Sequence, residues 1–412
     1  MHTPVSSLFA AACLAALVWP AGEAAAQADP APNDAAVASV QGPAQPNGLS
    51  PPTPEDAPRK REGFLDKFYD DEDGKLDFSE FLARGGFIPV PIIISEPAVD
   101  GGFGLAAMFL KADPNDPRNV TRRGAAALKT GNGSYGFGFF QAGEALDRRL
   151  TYRFGVGRGK VNLTAFPRFA PGGIEYSNSY KYGVIGTARW HVAGDRLSIG
   201  PIIDFRKFDS QLVLAGAPPE YAADFGRTLK TGAIGLGVHY DSRDNRLSPT
   251  SGLDAFVDAK FNLDELGSDR EFETYEFHAY AFHRLSPQWR LAAKAELDTI
   301  RGRYPSVFAP YVEQRGIEAV HYQGENVLST EAELTWQVSR RWSLLAFAGY
   351  GTADGGDSRI FADSGAIVSG GAGFRYLIAR KLGLQVGIDA AVGPQGEVVY
   401  LQFGHAWALG MD

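Results

Sequence analysis

The feature that most constrains this chain is a period-two alternation with ionised side chains on one face and apolar ones on the other. Within Trp289 to Asp298, the residues Trp289, Leu291, Ala293, Ala295 and Leu297 share one face, and Arg290, Lys294, Glu296 and Asp298 share the opposite one. Successive side chains alternate in this way along a strand and not along a helix. The split recurs in Leu253, Ala255, Val257, Ala259 and Phe261 against Asp254, Asp258, Lys260 and Asn262. It recurs in Leu328, Ala332, Leu334, Trp336 and Val338 against Glu331, Glu333, Thr335 and Gln337, and in Leu382 to Ala390 against Gln385 and Asp389. A soluble sandwich with one wet face alternates as cleanly. In a transmembrane barrel the same split means lipid outside and water inside, because a charge facing mid-membrane lipid costs ~2–4 kcal/mol. Composition favours the barrel: 49 of 412 residues are Gly, aromatics make up 12%, and charged residues only 21%. The net charge of -8 argues against a nucleic-acid partner, which selects for basic patches.

The expected fold class is therefore all-β: a transmembrane antiparallel barrel of about sixteen strands occupying 87–412, with segments running from 88–95 to 396–407. Residues 1–26 read as a signal peptide. Leu8 to Trp19 is an apolar core too short to span a bilayer, and Ala24-Ala25-Ala26 offers small residues for cleavage. Cys13, the only cysteine, leaves with it, which removes disulfides and thiol chemistry from the mature chain. Residues 27–62 are Pro-rich and read as an extended, disordered linker.

Residues 63–86 form a short acidic segment resembling a calcium loop. With Gly74 at the obligatory turn position, Asp71, Asp73, Asp77 and Glu80 fall at ligand positions three, five, nine and twelve. Tyr69 at position one cannot donate a carboxylate. The favoured reading is a β-turn followed by a short amphipathic helix, forming a small plug or lid near the first strand.

Three stretches carry a resemblance. Tyr240-Asp241-Ser242-Arg243-Asp244-Asn245-Arg246-Leu247-Ser248-Pro249-Thr250-Ser251-Gly252 resembles the strand-and-turn motif of the bacterial surface antigen superfamily, the BamA/TamA type of outer-membrane barrel. Gln314-Arg315-Gly316-Ile317, with His321-Tyr322-Gln323-Gly324-Glu325-Asn326, is similar to that superfamily's loop-six motif. Gly373-Phe374-Arg375-Tyr376, Gly387-Ile388-Asp389 and Tyr400 to Trp407 are similar to its last three strands. Counting strands independently puts Arg315 between the eleventh and twelfth, where loop six belongs. The sequence departs from the family in four places. It has too few residues before the barrel for a periplasmic POTRA module. Ile317 replaces an aromatic, Gly349 replaces an Asp two strands beyond the loop, and Ala408 to Asp412 follow Trp407.

The resemblance implies that loop six folds into the lumen, with Arg315 and Gly316 locked against Glu333, and with the lock weakened by Gly349. The alternative is an exposed loop arginine. Asp241, Arg243 and Asp244 cluster at one strand end as a network supporting the loop or, as the favoured reading, as turn chemistry at the rim. Phe403 and Trp407 resemble the C-terminal strand read by the resident assembly machinery, and also suit an outward-facing closing strand with an interfacial aromatic. No catalytic motif and no cofactor site is recognisable. The implied function is outer-membrane biogenesis, inserting or translocating protein or lipid. The implied partners are outer-membrane lipids, the assembly machinery and a separate periplasmic protein. The rival function is a passive or gated pore for small solutes.

Overall fold

A computed structural model describes residues 68–70, 72–79, 86–113, 116–165, 174–214, 226–245, 248–354, 361 and 364–407. The expected signal peptide and linker, with Asp71 and Glu80 of the acidic motif, lie outside them. Sixteen strands follow in chain order: β1 (Gly86–Ile94), β2 (Gly102–Asp113), β3 (Asp116–Thr130), β4 (Tyr135–Ala145), β5 (Leu150–Ala165), β6 (Ile174–Ala193), β7 (Leu197–Leu214), β8 (Arg227–Asp241), β9 (Gly252–Asn262), β10 (Phe272–Arg284), β11 (Trp289–Gly302), β12 (Asn326–Gln337), β13 (Trp342–Asp354), β14 (Ile367–Ala379), β15 (Leu384–Gly393) and β16 (Gly396–Phe403). Each pairs with the next in one all-antiparallel sheet curled into a barrel, as the alternation predicts.

The barrel is inside-out relative to a soluble protein. On β12, Glu331 and Glu333 are each 3% exposed, whereas Leu334 and Trp336 are 39% and 40% exposed. The same inversion buries Asp258 and Lys260 while exposing Val257 and Phe261. Only a lipid surround makes an outer wall of Phe, Leu, Val and Trp favourable, and only a closed or nearly closed sheet satisfies the backbone there. One end of the barrel has short connections, such as those at 194–196, 285–288 and 338–341; the other carries the long segment 303–325 between β11 and β12. These are called the turn end and the loop end.

The sheet order is linear, and among the described residues no ladder joins β1 to β16. Pro89 and Pro91 give a reason. The β1–β2 ladder runs from Gly86 to Ile94 without a register shift, although proline cannot donate to it. The two prolines are two residues apart, so their missing donors fall on the same edge, the one turned away from β2. That edge is the one β16 would need.

The lumen is packed. Near the loop end, Phe308, Tyr311 and Val320 of 303–325 join Val99, Phe208, Phe272 and Ile300 in one buried apolar cluster. Toward the turn end a second cluster packs Trp407 with Phe256, Tyr280 and Phe282.

Candidate functional site

Between these clusters lies a charged centre built around Arg315. The tip of loop six descends far enough for its guanidinium to meet the inner wall. Arg315 Nε and Nη2 donate to Glu331 Oε1 at 2.9 and 2.6 Å, and Nη1 donates to Asp389 Oδ2 at 2.7 Å. Nη2 also lies 2.9 Å from Glu333 Oε2. The guanidinium covers the Phe347 ring at 3.6 Å from its centroid, a cation–π contact strengthened by burial. One side chain therefore touches β12, β13 and β15. Arg375 of β14, 1% exposed, donates to the same Asp389 through Nη2 at 2.8 Å. Arg290 of β11 stands 3.7 Å from Glu333. Three guanidinium groups thus balance three buried carboxylates, the condition under which buried ions are tolerated.

Gly316 makes this approach possible. Its φ is +89°, and a Cβ there would come within 3.1 Å of the Val392 carbonyl oxygen. Its N–H donates to Tyr400 Oη at 3.0 Å, which ties the loop tip to β16, one edge of the unpaired seam. Ile317, in place of the family's aromatic, is 3% exposed and packs with Val312, Val327 and Ile367, so the position keeps its apolar contact.

The site corrects two expectations. Glu333 does face Arg315, but Glu331 grips it with more contacts, and the further acid is Asp389 on β15. Gly349 therefore does not leave the arginine short of carboxylates. A side chain there would meet Gln314, since a Cβ at 349 would lie 3.1 Å from Gln314 Oε1. Glu331 and Asp389 were legible as lumenal by parity, but nothing in their spacing marked them as partners of Arg315.

Trp407 is the second correction. β16 ends at Phe403, and Trp407 does not lie on the closing strand facing lipid. Gly404, at φ +77°, turns the chain inward while its N–H donates to Gln385 O at 2.7 Å. Trp407 is consequently 7% exposed inside the barrel, where its Nε1 donates to Glu331 Oε1 at 2.8 Å. The C-terminal segment and loop six thus share one carboxylate.

The expected rim residues stay away from this centre. Arg243 Nη2 bridges Asp241 Oδ2 and Asp254 Oδ2, each at 2.8 Å, and His239 Nε2 lies 2.6 Å from Asp254 Oδ1. Asp244 accepts from the backbone of Asn245, Thr250 and Ser251, which draws Thr250 and Ser251 back against it. This is turn chemistry at the turn end.

The acidic motif also reaches the turn end, at β13 to β15 rather than at β1. Asp70, Asp73 and Asp77 surround Arg341, whose side chain has no exposed surface. Arg341 donates through Nε to Asp73 Oδ2 at 2.6 Å, through Nη2 to Asp70 Oδ2 at 2.7 Å, and through Nη1 to Asp77 Oδ2 at 2.8 Å. Arg380 adds a 2.6 Å bond to Asp70. An antiparallel bridge between Tyr69 and Leu76 closes the loop, and Phe78 N donates to Ile378 O at 2.8 Å. Of the four calcium-ligand candidates, Asp73 and Asp77 are described, and both point at a guanidinium. The Arg380 hydrogen bond is the main cause that lowers the Asp70 carboxyl from its ordinary 3.8 to about 2.

Residues 206–307 match the Omp85 superfamily domain, a stretch from mid-β7 into loop six that includes the Tyr240–Gly252 motif and stops short of Arg315. The match covers about a quarter of the chain, and the rest of the barrel is compared through its fold. Its fold resembles BamA from Haemophilus ducreyi lacking POTRA domains 1–3, with 12% identity, a TM-score of 0.55, and coverage of 78% of this chain and 70% of that one. It resembles CdiB from Escherichia coli at 11% identity and TM-score 0.54, covering 76% and 61% of the two chains. CdiB from Acinetobacter baumannii gives 9% identity and TM-score 0.52, with 77% and 59% covered. The chain thus spans less than two thirds of either CdiB. No curated protein sequence matches it. A barrel with this apolar outer wall and a stretch matching the Omp85 superfamily domain has the build of an integral protein of the Gram-negative outer membrane.

Proposed function

We propose that this Omp85-type barrel serves outer-membrane biogenesis without catalysis. It would pass or insert a polypeptide or lipid at the β1–β16 seam, with its turn end and N-terminal segment in the periplasm. The observation that carries this reading is the unpaired seam, whose β1 edge lacks the donors of Pro89 and Pro91. A strand with free backbone groups is a template for another strand. The lumen itself is filled by loop six and Trp407, which disfavours a passive solute pore. Gly316 links the loop to Tyr400 of β16, so a change in the lock would be felt at the seam. Outer-membrane lipids and the resident assembly machinery are the partners expected during its own insertion, and a separate periplasmic protein would deliver its client.

The test uses the absence of cysteine from the mature sequence. Cysteine pairs would be scanned along β1 and β16, and a pair that cross-links the seam would be expressed in cells depleted of the native protein. The oxidised pair should fail to restore the outer-membrane proteome and lipid composition, whereas each single cysteine and the reduced pair should restore them. Full restoration with the seam cross-linked overturns the reading. Altered uptake of small solutes with an unchanged membrane would favour the pore.

A further inference from the structure

A cavity of about 340 Å³ opens at the turn end of the lumen, between Ser248 and Thr250 on one side and the turns at 285–288, 338–341 and 380–383 on the other. Its described lining includes Arg284, Arg290 and Arg340, with Thr250, Gln337 and Gln385, and no carboxylate. Asn245 lies against Gly383, where an added Cβ would come within 2.9 Å of its Nδ2. Little of the arginines' hydrogen-bonding capacity is used. Arg290 donates to Pro249 O at 2.9 Å and Thr335 Oγ1 at 3.2 Å, but its Nε is buried without a partner. Its nearest acid, Glu333, lies 3.7 Å away and is already engaged by Arg315. Arg284 donates to Thr250 Oγ1 and is otherwise exposed. Arg340 is exposed and has no acidic partner among the described residues. Three guanidinium groups lining one open vestibule select for anions, and for planar carboxylates or phosphates in particular.

We propose that this vestibule binds acidic peptide segments arriving at the turn end of the lumen. The neighbouring surface shows what the rim recognises. Arg341, next in sequence to Arg340, and Arg380, in the turn that supplies Gly383, hold three aspartates of an acidic chain segment. Arg340 and Arg341 divide one turn between two tasks: Arg341 faces the occupied acidic loop and Arg340 faces the open vestibule. The location favours peptide over a lipid phosphate. The cavity lies at the lumen mouth among polar side chains, and the stacked, exposed Trp289 and Trp336 rings belong to the outer wall. The proposal concerns what the mouth binds and stands whether or not the seam opens.

The test is fluorescence anisotropy on the full chain folded in detergent micelles. The probes are a labelled eight-residue peptide with four aspartates and its asparagine analogue. The aspartate peptide should bind and the analogue should not. Arg284→Gln with Arg340→Gln, at two exposed positions, should weaken binding about tenfold, with retained heat-modifiability showing that the barrel is folded. Arg290→Lys should weaken it independently, because an ammonium cannot reproduce the fork. Equal binding of both peptides, or unchanged affinity in the double variant, overturns the proposal. So does displacement of the peptide by anionic phospholipid vesicles, or by inorganic phosphate, at lower concentrations than unlabelled peptide requires; these two outcomes would assign the vestibule to a lipid phosphate or to a free anion.

Discussion

The molecule holds an arginine among three carboxylates twice, and the two sites are built in opposite directions. In the lumenal lock, a loop supplies the cation and the barrel wall supplies the acids: Arg315 on loop six meets Glu331 and Glu333 of β12 and Asp389 of β15. In the rim clasp, the wall supplies the cation and the segment supplies the acids: Arg341 in a tight turn is surrounded by Asp70, Asp73 and Asp77 from one short loop. Losing the lock cation leaves ions stranded inside a low-dielectric barrel. Losing the clasp cation leaves aspartates that can swing into water. The same chemistry therefore carries unequal cost, and the cost follows from which partner can leave.

The largest effect should come from Arg315→Ala. It leaves Glu331, Glu333 and Asp389 close together with only Arg375 and Arg290 to balance them, and breaking a buried pair typically costs about 3–5 kcal/mol. The heat-modifiability transition should move to markedly lower temperature. A transition within a degree or two of the native one would show that the lock contributes little to folding.

The carboxylates should then rank unequally. Glu331→Gln removes the negative charge that two Arg315 donors and the Trp407 indole share, so it should cost more than Glu333→Gln, which neutralises the partner of one close Arg315 contact and a looser Arg290 one. A difference of ~1 kcal/mol or more is expected for the additional charge-assisted bonds. Equal shifts of the two variants in the same heat-modifiability assay would contradict the geometry. Trp407→Phe should reproduce a small part of the Glu331 effect.

How much of each site the sequence disclosed follows from the same contrast. Alternation fixes a side chain's face, so the barrel, its strand count and the inward orientation of Glu331, Glu333 and Asp389 were all readable. Alternation does not say which lumenal acids lie at the depth a loop tip reaches, because that depends on strand register and tilt. The motif therefore points to Glu333, whereas Glu331 and Asp389 carry no mark of the contact. At the clasp the acids were legible and the cation was not. A run of aspartates around Gly74 describes a loop shaped to surround positive charge, without specifying whether that charge is an ion or a side chain some 270 positions away. Trp407 was misplaced because the alternation before it continues smoothly through Phe403, and one left-handed glycine at 404 redirects everything after it.

The clasp should break with far less consequence for the barrel. Arg341→Ala removes the common partner of all three aspartates and should make residues 68–79 about tenfold more accessible to limited proteolysis, as expected for an undocked segment. The heat-modifiability of the barrel should stay close to native. A large loss of barrel stability would show that the segment is part of the folding unit and not a docked addition.

Acid should produce the smallest and most gradual release. Asp70 titrates near 2 when docked and near its ordinary 3.8 when free, because Arg380 and Arg341 favour its charged form. A carboxyl depressed on docking stabilises the docked state fully above the free value and loses that contribution as pH falls through the docked one. The Arg341 hydrogen bonds lower Asp73 in the same direction. Protection of the segment should therefore be flat from neutral pH to about pH 4 and decline between about pH 4 and pH 2. Hydrogen exchange at residues 68–79, followed across that range, would show it. Asp70→Asn should flatten the decline, since the residue no longer has a proton to gain. A midpoint near neutral pH would mean that a histidine, and not the aspartate cluster, controls the clasp.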